Sequence, residues 1–328
     1  MQLFFLQISK VLHGKFHSTM QLHENFKVPT FHIRKLVLEL LARTSHNFLV
    51  FFIMVCIYVV NDKDNDASKR FLELVNSTTT TTKGRIGIDC EGIDLGRNGT
   101  LELVSICFEK TPDQVFLVDF QNASGSPRVL ATKKLLECDS VVKIIHDCRM
   151  DCDALHHLFG IDMVNVHDTS CFHELIALRD NVGLNDVFQW NDIKTNIVRD
   201  NNVYRNNHTF WSTRPLSQTM TSWAAGDVES LLQLATKQDA ALYDSKRRQE
   251  AISLSTKNTT TMVDKKITTL RCRIPIGRFF GARGANIRAL RKRTDTGIYG
   301  RSGSDSGVFF VYYDSEASLN QVKARMGY

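Results

Sequence analysis

Hydrophobic and polar positions change their period repeatedly along this 328-residue chain. The stretch GRIGIDCEG (84–92) holds a short apolar strand that ends in two acids. An Asn-Gly turn follows in RNGT (97–100), and then the alternating LELVSICFE, so residues 85–108 read as a hairpin. QVFLVDF predicts a third strand. Beyond it, ATKKLLEC, RMDCDALHHLFG and CFHELIALRD are helix-like, with the strand-like VVKIIHD and VNVHDT between them. This alternation predicts a mixed α/β sheet with helices on both faces. A long helical pattern, residues 216–249, closes the body. The polar NSTTTTTK (76–83) reads as a flexible loop, and the Ser/Thr-rich stretch 251–264 as a linker.

The last block reads as a strand (TTLRCRIPI), a turn containing GARG, a helix (ANIRALRKRT), two strands (GIYGRS and GVFFVYY) and a helix (SEASLNQVKARM). With IGRFF as a short first helix the order is β-α-α-β-β-α. The expected division is an N-terminal extension over 1–55, an α/β domain over 56–250, a linker over 251–265 and a small α+β domain over 266–328.

The apolar run FLVFFIMVCIYVV (48–60) is the one candidate membrane segment. A span needs about 20 apolar residues, so the run reads as a buried strand and no membrane partner is expected. Residues 1–47 are basic, with Glu24 and Glu39 as their acids, which leaves a mitochondrial presequence open. Eight Cys without a Cys-x-x-Cys pair point to reduced thiols inside the cell, in cytoplasm or nucleus.

Charge changes the picture at the C-terminus. Residues 265–328 hold 13 Lys or Arg against 4 acids. The whole chain has a net charge of +6, so the rest is mildly acidic. A basic block beside an acidic body suits a polyanion partner.

Candidate chemistry lies in the acids. Asp89 and Glu91 are one residue apart at a strand end, so alternation puts both on one face. Asp151 begins the helix after KIIHD, and Asp227 lies in the last long helical pattern. Four carboxylates from three segments suit hard divalent cations with oxygen ligands. Two such ions can activate water and stabilise a leaving oxygen in phosphodiester cleavage.

These residues resemble the DEDD superfamily of 3′-5′ exonucleases, the group of ribonuclease D and the Egalitarian-like exonuclease domains. Its first motif matches DCE (89–91). Its second matches HDCRMD, with His146 five residues before Asp151. RPL (214–216) and WAAGD, ending at Asp227, follow in the family's order. The resemblance covers about 57–245 and implies a ribonuclease H-like mixed sheet flanked by helices. It also implies two Mg²⁺ or Mn²⁺ held by Asp89, Glu91, Asp151 and Asp227. One departure stands at Trp223, where the family places the Tyr that positions the attacking water. An indole N–H donates a hydrogen bond and accepts none. The alternative to a nuclease is therefore a catalytically inactive RNA-binding adaptor.

The stretch 274–294 resembles a KH domain, a module that clamps about four nucleotides of single strand with a Gly-x-x-Gly loop. The loop here is Gly281-Ala282-Arg283-Gly284, preceded by Ile276, Gly277 and Arg278. Ile287 and Ile276 would flank a base groove or pack in the core. Arg288 and Arg291, like Arg278, would meet phosphates or solvent. The partner implied is single-stranded RNA, with DNA second.

HDCRMDCDALHH (146–157) also offers Cys148, Cys152 and His156 at helical spacing as zinc donors. A structural zinc site draws four ligands from two local pairs, and no second pair stands elsewhere. Packing is the reading for these three, and a hydrogen-bonding role at the strand end for His146.

Overall fold

The computed structural model describes residues 55–328, apart from 63, 64, 81, 82, 181, 195–198, 201, 202, 204–206 and 302–306. Strand β1 (Cys56–Val60) and helix α1 (Asn65–Thr79) precede three consecutive strands, β2 (Gly84–Glu91), β3 (Leu103–Phe108) and β4 (Gln114–Asp119). Helix α2 (Pro127–Leu136), β5 (Val141–Ile145), α3 (Arg149–Phe159), β6 (Val166–Asp168) and α4 (Thr169–Ala177) follow. Next come α5 (Leu184–Trp190), a 3-10 turn (Phe210–Ser212), α6 (Gln218–Val228), α7 (Leu231–Ala241) and α8 (Ser245–Thr261).

The six strands form one mixed sheet, ordered β1-β4-β3-β2-β5-β6. β3 runs antiparallel to both its neighbours, and the other pairs are parallel. The predicted hairpin is the β2–β3 pair, with Asp89 opposite Ser105 and Glu91 opposite Leu103.

Alternation along β2 sorts its side chains between two cores. Ile86, Ile88 and Cys90 enter the cluster built with Phe71 of α1, Leu135 of α2 and Leu155 of α3. The opposite face is covered by α5, α6 and α7 through Phe188, Ala224, Val228 and Leu231. Gly87 is what lets α6 and α7 come close. A Cβ there would lie 2.9 Å from the Val228 carbonyl and 3.3 Å from Leu231 Cβ. Asp89 and Glu91 share the Gly87 face, so the residue before Val228, Asp227, is brought over the end of β2.

Three local readings change. The long helical pattern is three helices, broken at Ser230 and again before Asp244, whose side chain caps α8 by accepting from the Arg247 amide. Residues 76–79 of the expected loop are the last turn of α1. The Thr79 hydroxyl donates to the Val75 carbonyl at 3.0 Å and Thr78 is buried. The stretch expected to be a linker is mostly α8, with Ala251 and Ser255 fully buried. Ser255 Oγ accepts from the Asp168 amide (3.1 Å), and Asn258 Nδ2 donates to Asp168 Oδ2 (2.9 Å). Small polar residues let this helix lie close to β6 and α4, and their hydroxyls bond back to the preceding turn.

Of the apolar run 48–60, residues 56–60 form β1, an edge strand in register with β4 from Cys56↔Gln114 to Val60↔Val118. Residues 1–54, which hold all of the N-terminal extension except Val55, lie outside the described residues. Among those described, no helix is long and apolar enough to cross a membrane.

The C-terminal region follows α8 directly as β7 (Lys266–Arg271), α9 (Ile276–Phe280), α10 (Ala285–Thr294), β8 (Gly297–Gly300), β9 (Val308–Tyr313) and α11 (Glu316–Met326). This is the expected β-α-α-β-β-α order. Its antiparallel sheet runs β7-β9-β8. Every residue of β9 is buried because both faces of the sheet are covered. Phe309, Val311 and Tyr313 pack on the region's own helices with Ile287, Leu290 and Val322. Phe310 and Tyr312 face the other way, into a cluster with Met262 at the end of α8, and Met150 of α3 packs against it.

Candidate active site

Asp89, Glu91 and Asp227 each offer a carboxylate oxygen, and the three oxygens lie within 4.8 Å of one another. They sit at the carboxyl end of β2, the place where open α/β sheets build their sites. Asp151 is held at the same strand end, its Oδ1 accepting from the Cys90 amide at 3.1 Å. The structure thus gathers three of the four expected ligands in one cluster and ties the fourth to the residue between Asp89 and Glu91.

Burial sets the electrostatics. It pushes Asp89 up to about 6, against the opposing pull of Arg199. Burial and then the charge of Asp89 push Glu91 up to about 8, again opposed by Arg199. Burial and Asp89 also raise Asp151. Crowded, desolvated carboxylates of this kind favour a bound cation. The donor set is all oxygen and fits Mg²⁺ or Mn²⁺.

The placement of Asp151 follows from a built corner between β5 and α3. Asp147 takes a left-handed conformation, φ +56°, and Arg149 clamps its carboxylate through Nε (2.5 Å) and Nη2 (2.8 Å). Asp168 accepts from the amides of Asp147 (2.8 Å) and Cys148 (3.2 Å) and caps α4 at Ser170. Burial pushes Asp168 up, but hydrogen bonds from Asn258, Ser170 and Asp147 outweigh it and hold the carboxyl below its ordinary value. His146 spends both ring nitrogens on structure, Nδ1 with Thr169 Oγ1 at 2.8 Å and Nε2 with the Val182 carbonyl at 2.9 Å.

The zinc-type triad does not converge: Cys148 and Cys152 are neighbours, and His156 is engaged elsewhere. Cys148 and Cys152 are buried in the core, and His156 Nδ1 meets Asp162 at 2.6 Å. Arg214 of the RPL segment grips Asp119 through Nε (2.9 Å) and Nη2 (2.8 Å), which fixes the approach to α6.

Trp223 stands one turn before Asp227, is 7% exposed and belongs to the same buried cluster as Met220 and Val228. Its ring centroid is 5.4 Å from that of Phe210. The residue that sequence reasoning missed is Arg199. Its Nη2 donates to Glu91 Oε1 at 2.5 Å and also to Asp227 Oδ2. Its Cζ lies 5.8 Å from the Trp211 ring and 6.0 Å from the Trp223 ring. A lone Arg in NIVRDNN has no spacing relation to Glu91 or Asp227, so only the folded chain reveals it.

The expected nucleic-acid residues fall in two groups. Gly281, Arg283 and Gly284 all have positive φ, at +71°, +50° and +75°, and Ala282 and Arg283 are exposed. A Cβ on Gly281 would come within 2.5 Å of Asn286, whose Nδ2 braces the Arg278 carbonyl at 3.0 Å. Gly277 has open space above it, beside the exposed Ile276. Arg278 and Arg288 are exposed, and Arg288 Nη1 donates to the Arg283 carbonyl at 2.5 Å. Ile287, by contrast, is 4% exposed and packs in the C-terminal core. Arg291 is turned inward, donating to the Ile298 carbonyl and lying 5.3 Å over the Tyr299 ring, so it is not a phosphate contact.

The 3′-5′ exonuclease family matches residues 59–240, more than half of the chain and all of the carboxylate cluster. The chain belongs to this family. It is 31% identical over 91 residues to an Egalitarian protein homolog of Caenorhabditis elegans, a match covering 28% of this chain and 16% of that protein. It is 30% identical over 105 residues to the piRNA biogenesis protein EXD1 of Bombyx mori, covering 32% of each. The chain thus spans a third or less of these relatives. Among solved structures, RNase D of Trypanosoma brucei superposes with a TM-score of 0.52 at 23% identity, covering 64% of this chain and 74% of that one. The catalytic core of RRP6 from the same organism gives 0.51 at 19% identity, covering 66% and 55%. These likenesses establish the exonuclease fold, a central mixed sheet flanked by helices.

Proposed function

We propose that this exonuclease domain removes nucleotides from the 3′ end of single-stranded RNA by two-metal hydrolysis. The observation that carries the reading is the convergence of Asp89, Glu91 and Asp227 within 4.8 Å, in a chain of the 3′-5′ exonuclease family. Asp89, Glu91, Asp151 and Asp227 are the residues that would hold Mg²⁺ or Mn²⁺. When bound, the ions supply an activated water and neutralise the leaving oxygen. The chain's own contribution is to place these acids. Asp168 and Arg149 hold the corner before Asp151, and Arg214 holds the approach to α6. RNA as substrate is supported by RNase D of T. brucei, which was also solved in complex with an RNA.

The C-terminal region serves in this reading as a KH-like grip. Its support is the β-α-α-β-β-α order, the GARG loop with three of its four residues at positive φ, and the exposed Ile276, Arg278, Arg283 and Arg288 around it. Backbone amides and arginines there suit phosphates, and the glycines allow close approach.

The test is direct. Protein with Mn²⁺ should shorten a single-stranded RNA labelled at its 5′ end, one nucleotide at a time. Asp89→Ala and Asp227→Ala should abolish this, and equal shortening by wild type and both variants would sink the reading.

A second reading rests on Trp223, which cannot accept a hydrogen bond from an attacking water. In it the chain binds RNA through the same surfaces and cleaves none under any metal.

A further inference from the structure

We propose that Arg199 is an internal competitor for the metal site, so that the acids are loaded only above a threshold of divalent cation set by this side chain. The inference rests on the metal-dependent reading above and adds a residue to it. Arg199 Nη2 donates to Glu91 Oε1 at 2.5 Å and to Asp227 Oδ2, two acids of the three-carboxylate cluster. A divalent ion shared by these acids draws on the same two carboxylates that the guanidinium now engages. Two cations held a few ångströms apart on these half-buried carboxylates repel each other, so each weakens the binding of the other. Arg199 stays charged at any working pH, so it competes across the whole range.

Two features make the competition effective. Arg199 is three-quarters buried, with 25% of its side chain exposed, as is the Asp227 side chain. Bulk salt therefore screens the pair weakly. The guanidinium also faces Trp211 and Trp223 at 5.8 and 6.0 Å, and its Nη2 lies 3.5 Å from the Trp223 carbonyl. Indoles are the best aromatic partners for a cation. Trp223, where the family places Tyr, thus acquires a role: it is part of the seat of Arg199. One guanidinium brings a single positive charge to a cluster of three acids and Asp151, so it leaves charge that a divalent ion can still exploit at higher concentration.

The size of the effect follows from population. If the guanidinium engages the acids in 90–99% of molecules, apparent metal affinity falls roughly ten- to a hundred-fold.

The experiment is titration of metal-stripped full-length protein with Mn²⁺, followed by electron paramagnetic resonance. Arg199→Gln should bind Mn²⁺ at least about ten-fold more tightly than wild type, and Arg199→Lys, which keeps the charge, should stay near wild type. Equal or weaker binding by Arg199→Gln overturns the proposal. Asp89→Asn in the Arg199→Gln background separates the two readings. Loss of Mn²⁺ binding there keeps the metal at the carboxylates, and unchanged binding removes the metal site itself. Should Arg199→Gln fail to fold, wild type still decides. Mg²⁺ added to it must change the tryptophan emission as the cation leaves Trp211 and Trp223, and it must not do so in Arg199→Lys/Asp89→Asn. A silent wild-type spectrum overturns the proposal.

Discussion

The Tyr312 hydroxyl donates to Asp153 Oδ2 at 3.0 Å, joining residues 159 positions apart. Asp153 lies on α3, two residues after Asp151, and its side chain is fully buried. Arg97 donates to the same carboxylate through its amide (2.7 Å), Nε (2.9 Å) and Nη2 (2.6 Å), and His157 Nε2 stands 3.7 Å from it. Arg97 in turn donates to the carbonyls of Met262 (2.5 Å), Val263 (2.9 Å) and Lys265 (3.2 Å), where α8 gives way to β7. Helix α3 therefore serves two masters. One side presents Asp151 to the carboxylate site, and another seats the C-terminal sheet through Met150 and Asp153.

This clasp should make the exonuclease domain and the C-terminal region unfold together. Asp153→Ala leaves the largely covered Arg97 guanidinium without its counter-charge, which costs up to about 3 kcal/mol because three carbonyls still accept from it. Tyr312→Phe removes one donor and should cost about 1–3 kcal/mol. In urea unfolding, wild type should give one transition and Asp153→Ala two, read by tryptophan emission for the first domain and by circular dichroism for the whole. A single unshifted transition in Asp153→Ala would show that the clasp couples nothing.

Trp223→Tyr should raise the rate of 3′-end removal, by up to about 100-fold if water positioning is what the native site lacks. A phenol both donates and accepts. The gain should appear in kcat with KM for RNA little changed, because the substitution touches the attacking water and not the strand. Single-turnover assays at saturating Mn²⁺ make the comparison, and saturation removes any contribution from Arg199.

The carboxylate site was legible because its signals are local. Asp89 and Glu91 share a face by strand alternation, and His146 sets the register for Asp151 across one turn. The order of strands β2 to β6 was legible for the same reason, whereas the breaks inside the long helical pattern and the short helix α5 were not. Three other things were not. Arg199 reaches its acids only through tertiary folding. The residues of α8 look like a linker by composition, but Ser255 and Asn258 are chosen for bonds to Asp168, whose position along the chain gives no hint of them. The run of six apolar residues in β9 announces burial on both faces without naming the second partner, which is α3 and the end of α8. Sequence patterns report the period of burial and leave out the identity of what does the burying.

Arg283→Gln should weaken binding of single-stranded RNA and reduce the slope of log K against log salt by about 1. Arg283 is exposed at the apex of the GARG loop and already sits at φ +50°, so the change removes charge without new backbone strain. The slope, measured by fluorescence anisotropy between low and moderate salt, is the decisive quantity. An unchanged slope would place the RNA path elsewhere than this loop.

Lys143 supplies a pH-dependent check on the fold itself. It lies on β5, between β2 and β6, and is wholly buried. Its Nζ donates to the carbonyls of Cys138 and Val141, both at 2.8 Å. Burial pulls it down from an ordinary 10.5 to about 8, with Cys138 and Asp139 opposing more weakly. Between pH 8 and pH 10.5 the unfolded chain therefore binds a proton that the folded chain has released. Stability contributed by this residue rises with pH through that window, and below it the full cost of a buried charge is present. Lys143→Met removes the titrating group. Relative to the variant, wild type should gain about 3 kcal/mol on going from pH 7.5 to pH 10.5. Other alkaline titrations are shared by both proteins and cancel in the difference. Urea unfolding of the pair at several pH values gives the slope. A difference independent of pH would mean that Lys143 keeps its proton in the fold, and that the two carbonyls solvate its charge as well as water does.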